Sequence, residues 1–464
     1  MSTYKIVDAD KLDADLTSVA DTIRERSCFS GALGFPDGFK AGVDNVRSVG
    51  YDEGYSIGYH EGDQNGYSEG YDDGYEEGAK NSFTPPTSDV LDPDEVYRTT
   101  RPSDWLPLPT PNDNEMYFLG HLIPNADNKF HIWMEFSGAC TIEFGNYVNG
   151  VFTAKETTTP TSGQPFSHSL NYSDYGDETL DGYRQYIVRI YAGGRVGKLS
   201  GYAYAFYQDV APILVEFVCG KALDWFTCSD GSAEERRNRT FAHTRYIRFV
   251  GNGTFGNGTT MFCGCKKLIA LCHDRTDVSA EYCNYMFTGC RSLLAVPSHI
   301  FSQRSAYCSA TFWASSALPK LPKINVSLDT GYFFCYMAEG LEEFDGTYID
   351  TSKVSDMYLM FSGCASLTKV KALNISALTN TGGLFGGCYC LNSVTFAGTS
   401  TPGGYTIDLS NASLGRTALV ETLNSLPEAM SPATINIANN PGASELTDAY
   451  LSAVADPKNW TITR

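Results

Sequence analysis

One pattern returns six times between residues 261 and 394 and limits the fold more than any other feature of the chain. An apolar residue and a phenylalanine precede a small pair, and leucine and a second apolar residue follow at intervals of three. Met261-Phe262-Cys263-Gly264-Cys265 leads to Leu268 and Leu271, and Met286-Phe287-Thr288-Gly289-Cys290 leads to Leu293 and Val296. A degenerate copy carries Phe312, Ser315, Leu318 and Leu321, and a weaker one Cys335, Ala338, Leu341 and Phe344. Two further copies hold Phe361, Cys364, Leu367 and Val370, then Phe385, Cys388, Leu391 and Val394. The phenylalanine position advances by 23 to 26 residues each time. A unit this short cannot bury its own apolar face, so identical positions must stack coil on coil.

That constraint explains the cysteines. Of the 14 in the chain, Cys265, Cys290, Cys364 and Cys388 share one repeat position, where Ser315 and Ala338 replace them. A small, soft core residue fits that substitution pattern, whereas an obligatory metal ladder does not. No CxxC occurs, and Cys263/Cys265 and Cys388/Cys390 are CxC pairs without histidines at ligand spacing. The expectation is buried structural thiols with no metal and no cofactor.

A second period lies upstream. Glycine occupies every fourth position at Gly50, Gly54, Gly58, Gly62, Gly66, Gly70, Gly74 and Gly78. Tyrosine follows six of them, at Tyr51, Tyr55, Tyr59, Tyr67, Tyr71 and Tyr75. A period of four is near the helical 3.6 and far from the strand period of two. The helix would be about 42 Å long, and eight glycines would cost it roughly 8 kcal/mol against alanine. Only close packing of several backbones offsets that cost, so the stretch predicts an oligomerisation stalk, a homo-oligomer with trimer favoured over dimer. A flexible glycine-rich linker is the plainer alternative.

Around these periods the chain divides into an N-terminal helical anchor (1–49), the stalk (50–81), a Pro/Ser/Asp-rich linker (82–96) and a β-sandwich (97–243). The repeat solenoid (244–400) and a C-terminal cap (401–464) complete it. The fold class is multidomain and mainly β with some α. In the anchor, Leu12, Leu16, Val19, Ala20 and Ile23 share a helix face. Residues 97–250 alternate short aromatic and apolar runs with turns, as an antiparallel sandwich of roughly eight strands does. In the cap, helices are expected around 414–423 and 445–455, and strands at 433–438 and 460–463.

Net charge is −20, which speaks against nucleic acid or anionic lipid held through a basic face. No run of 18 apolar residues occurs, so no membrane insertion is expected. The first residues lack the basic and apolar regions of a secretory signal, so synthesis in the cytoplasm is expected. Chemistry is thinly marked. Gly251-Asn252-Gly253-Thr254-Phe255-Gly256 fits a dinucleotide fingerprint only if a helix opens there, and a repeat follows instead. Cys272 beside His273 and Asp274 reads as an ordinary loop. Asp89, Asp92, Asp94 and Glu95 lack the glycine and terminal glutamate of a calcium loop. Trp105, Trp133 and Trp225 are candidates for sugar stacking, Trp133 more as core. A hydrolytic pair of carboxylates would leave no sequence mark.

Two resemblances give these pieces a setting. The stretch LxxVADxIRERS…GALxFPDGF (Leu16–Ser27 and Gly31–Phe39) resembles a short module at the N-terminus of structural proteins from phages and prophages of Gram-positive gut bacteria. Residues 245–400 resemble BspA-type leucine-rich repeats in their MFxxCxxL variant. Together they imply a non-catalytic virion surface protein, a tail or head fibre displayed outside the host. It would be anchored to another virion protein through residues 1–49, and its repeats would meet a bacterial surface protein or glycan. The alternatives are a bacterial leucine-rich-repeat adhesin and a fibre-borne polysaccharide depolymerase.

Overall fold

The computed structural model describes residues 91–464 apart from 125, 149–150, 201–212, 222, 229–240, 242, 251–257, 274–281, 298–306 and 323–325. The expected helical anchor, the Gly/Tyr stalk and the GxGxxG stretch lie outside the described residues.

Helix α1 (Pro93–Thr100) begins in the segment expected to be a linker (82–96) and runs four residues into the range expected for the sandwich. Proline opens the helix where no N–H is needed, and the Asp92 carboxylate accepts the Asp94 N–H at 3.0 Å. Its Tyr97 hydroxyl donates to the Glu216 carboxylate at 2.7 Å, and Arg101 just beyond pairs with the same group at 2.8 Å. Glu216 is fully buried. Its charge is thus met from two sides, and removing one partner of such a pair typically costs 3–5 kcal/mol.

Nine strands follow: β1 (Glu115–Leu122), β2 (Asn128–Phe136), β3 (Cys140–Val148), β4 (Val151–Thr158), β5 (Gln164–Leu170), β6 (Arg184–Ala192), β7 (Val196–Ser200), β8 (Ile213–Cys219) and β9 (Leu223–Thr227). They form two sheets, β8-β1-β6-β3-β4 and β5-β2-β7-β9. Neighbours are antiparallel except β7 and β9, which run parallel. Phe118 of β1 stacks on Phe217 of β8 at 4.4 Å and meets Phe130 of β2 edge-on at 5.8 Å, which joins the two sheets through aromatic contact.

The larger sheet does not stop at the sandwich. Strand β10 (Tyr246–Phe249) pairs parallel with β8, and β11 (Ala270–His273) pairs parallel with β10. These two strands belong to the first repeat coils, so the expected boundary at 243/244 runs through one continuous sheet. The cores join as well. Phe226 of β9 and Phe249 of β10 contact Phe262 of the first repeat at 5.9 and 6.5 Å, and the Cys228 N–H donates to the Met261 carbonyl at 2.7 Å.

Beyond β11 the chain is a β-solenoid with short parallel strands, β12 (Val326–Ser327), β13 (Glu343–Asp345), β14 (Ile349–Asp350), β15 (Lys369–Asn374) and β16 (Ser393–Ala397), paired in two sheets, β12-β14 and β13-β15-β16. The cap continues this parallel stacking with β17 (Ser400–Gly403) against β19 (Glu428–Ser431). Its other three strands are β18 (Thr406–Asp408), β20 (Ala433–Asn436) and β21 (Trp460–Thr463), in that order. Helices α2 (Arg416–Ser425) and α3 (Asp448–Ala455) fall where helical spacing placed them. Among the described residues no helix is long and apolar enough to cross a membrane.

Sequence left one residue of the sandwich unexplained. His121, buried in β1, meets the edge of Trp105 at 5.4 Å. Burial, with Arg245 and His243 beside it, pushes its pKa down to about 3. It is therefore neutral in the fold, while the unfolded chain takes up a proton below its ordinary value of about 6.5. Its contribution is fully present above pH 6.5 and is lost as pH falls from there toward 3. Denaturant unfolding should show stability falling between pH 6.5 and 4, with a shallower slope in His121→Phe. An unchanged slope in the variant would assign the loss to other groups.

Candidate functional site

The geometry of the repeat starts from the backbone. Each coil bears a block of turns around its phenylalanine position, and amides in that block alternate between two kinds of partner. The N–H groups of Cys265, Cys290, Ser315, Ala338, Cys364 and Cys388 close turns onto the carbonyl three residues back in their own coil. Those of Phe262, Phe287, Phe312, Cys335 and Phe361 donate across to the next coil at 2.9–3.0 Å. So do those of Gly264, Gly289, Ala314, Met337 and Gly363, at 2.7–2.8 Å. Every block holds this alternation by taking positive φ twice, four residues apart: Thr260 and Gly264, Tyr285 and Gly289, Ala310 and Ala314, Phe333 and Met337, Leu359 and Gly363, Gly383 and Gly387. Several of these are bulky residues that resist that conformation by about 1–2 kcal/mol each. The inter-coil hydrogen bonds and the core columns offset that strain.

Those columns contain every residue singled out from the repeat. Phe262, Cys265, Leu268, Phe287, Cys290, Leu293, Phe312, Leu318, Phe361, Cys364, Leu367, Phe385, Cys388 and Leu391 are all buried. Phe262, Phe287 and Phe312 stack in series at 5.2 and 5.5 Å, and Phe361 stacks on Phe385 at 5.7 Å. Where Cys335 interrupts the column, Phe334 turns its edge to Phe312 at 5.5 Å and Phe344 meets Phe361 at 5.0 Å. The gap left by the missing ring is thus filled from neighbouring positions.

The cysteine position does more than fit a small space. Cys290 donates its thiol hydrogen to the Phe262 carbonyl of the preceding coil at 3.1 Å, Cys364 to that of Cys335 at 3.1 Å and Cys388 to that of Phe361 at 3.0 Å. Ser315 makes the same bond to the Phe287 carbonyl at 2.8 Å. The position is therefore defined by a donor as well as by size and softness, and Ser315 is the residue in the sequence that signals it. Burial pushes the Cys290, Cys335 and Cys364 thiols well up and that of Cys388 up to about 12, which keeps them protonated. Neutral donors of this kind suit packing and not nucleophilic attack. Cys272 lies in β11, not in a loop, and donates to the Pro93 carbonyl of α1 at 3.3 Å.

With the core turned inward, the turn blocks present their variable positions to solvent. Tyr282 and Tyr307 stack with nearly parallel rings at 5.3 Å, and Tyr332 and Tyr358 at 5.7 Å. Phe333 lies between Trp313 at 5.6 Å and Tyr358 at 5.6 Å, and touches Tyr336 at 5.0 Å. Gly382 leaves room for the Tyr358 ring, since a Cβ there would lie 2.8 Å from it. Between β13 and β15, coils are tied by surface pairs, Lys371–Asp345 at 3.0 Å and Lys369–Glu343 at 3.3 Å. In the sandwich, Trp105 is buried under the Arg101 guanidinium (5.7 Å) and is not open to a sugar. Trp133 of β2 is half-buried beneath the Lys198 ammonium at 4.8 Å. Comparison with family models, with curated proteins and with solved structures finds no match for this chain.

The donor ladder makes a gain-of-stability test available. Ala338→Ser should place a hydroxyl on the Phe312 carbonyl as Ser315 does on Phe287, raising unfolding free energy by about 1 kcal/mol, and Ser315→Ala should lower it by a similar amount. Equal destabilisation by both would leave size as the only constraint at this position. The backbone offers a second test. Ala314→Gly relieves a positive φ of 55° and should stabilise by about 1 kcal/mol in thermal unfolding. Gly363→Ala, whose Cβ would meet Met337 at 3.3–3.4 Å, should destabilise.

Proposed function

We propose that this chain is a non-catalytic virion surface protein, a tail or head fibre, whose solenoid attaches to a bacterial surface. The observation that carries the proposal is the division of labour within each coil. Leucine, phenylalanine and cysteine are spent on the stack, and the variable positions form an exposed surface rich in Tyr, Ser, Thr and Asn. Stacked coils create extended area from small units, which suits recognition by shape without turnover. The continuous sheet from β4 to β11 supports the same reading, because a display surface fixed to its spacer transmits position without a hinge. The Gly/Tyr tetrads supply the joining of several copies, and residues 1–49 the mount on another virion protein.

Labelled full-length chain should bind intact Gram-positive gut bacteria saturably and release no soluble glycan from them. Binding without release supports attachment; glycan release would assign the chain to the depolymerases, and absence of binding to every strain would reject the reading. In solution the full-length chain should have the mass of a trimer, and a monomer would remove the stalk from the account.

A further inference from the structure

The five side chains Trp313, Tyr332, Phe333, Tyr336 and Tyr358 form one aromatic patch across three successive coils, and the exposed Met337 follows Tyr336 in the chain. The five are linked ring to ring: Trp313 to Phe333 at 5.6 Å and to Tyr336 at 5.9 Å, Phe333 to Tyr336 at 5.0 Å, Phe333 to Tyr358 at 5.6 Å and Tyr332 to Tyr358 at 5.7 Å. Tyr332, Met337 and Tyr358 are 36%, 41% and 37% exposed, high values for such large apolar groups. None of these positions is required by the core, because the inward columns are already filled by Phe312, Phe334, Phe344 and Phe361.

We infer that this patch is the centre of a protein-binding interface whose partner presents an apolar surface rimmed by lysine and arginine. The inference rests on the attachment reading and names the contact surface and the chemistry of its target. Composition favours a protein: aromatic residues and methionine are enriched in the cores of protein interfaces, and charged residues are depleted there. Rings already locked against one another lose little freedom on binding, which is how tyrosine-rich surfaces gain affinity. Charge sets the rim. Within residues 307–316, 329–339 and 356–366 the only charged side chains are Asp329, Glu339 and Asp356, all acidic. An acidic edge on a chain of net charge −20 repels anionic polymers and a second copy of itself, and draws a basic partner.

The test uses full-length chain and intact Gram-positive gut bacteria that bind it, before and after protease shaving of their surface proteins. Wild-type binding should fall at least tenfold on shaving and weaken with added salt. A triple variant, Tyr332→Ser, Met337→Gly and Tyr358→Ser, should lose at least tenfold on unshaved cells, since central interface residues dominate affinity. Met337→Gly also relieves a positive φ of 56°, so its thermal midpoint tells folding from binding. Met430→Ser, at an exposed position in the cap, should bind as wild type. Full binding by a folded triple variant would overturn the patch and leave attachment standing. Binding that survives shaving and is lost on glycan removal would overturn the protein partner. Absence of wild-type binding to every strain would overturn both.

Discussion

The solenoid depends on one backbone arrangement: in a block of turns, every second amide must find its acceptor in the next coil. A buried N–H left without an acceptor is costly, and turns leave more of them than strands do. The Phe262 amide reaches Met286, Phe287 reaches Thr311, and Phe312 reaches Phe334, each at 2.9 Å. The chain can aim these amides outward along the stack only by visiting positive φ twice per block. Strain at Tyr285, Phe333 and Leu359 is the local cost, and it is tolerated because aromatic, leucine and thiol columns lock the same blocks from inside.

The same parallel stacking ties the repeat to the sandwich and to the cap. Strand β10 takes β8 as its neighbour as though β8 were a preceding coil, and the aromatic series from Phe217 through Phe226 to Phe262 never leaves the core. At the other end β20 and β21 continue with parallel pairing, and asparagine takes the positive-φ positions at Asn411, Asn439 and Asn459. Asparagine tolerates that conformation better than the side chains used in the repeats.

What could be read from sequence was what repeats. The phenylalanine, cysteine and leucine columns were legible because burial recurs at a fixed interval. Much of the rest was hidden because it departs from the repeat or reaches across it. Positive φ at Tyr285, Phe333 and Leu359 carries no glycine to announce it. The sheet shared by β8 and β10 pairs residues on either side of an expected domain boundary, and local patterning says nothing of such partners. Helix α1 starts in a Pro/Asp-rich stretch whose composition suggests a linker, although Asp92-Pro93 is also the pattern of a cap and first turn. The aromatic patch sits at positions the consensus leaves variable, so Trp313, Tyr336 and Tyr358 drop out of any reading based on the motif. The pairing of the Cys290 thiol with a carbonyl had one sequence clue, the serine at 315.

Native-state hydrogen exchange on the full-length chain tests the inter-coil amides most directly. Phe262, Phe287, Phe312, Cys335 and Phe361 lie in turns, yet their amides should exchange as slowly as those of strands β1 and β8. Exchange of these five at the rate of open loops would contradict the stacked backbone.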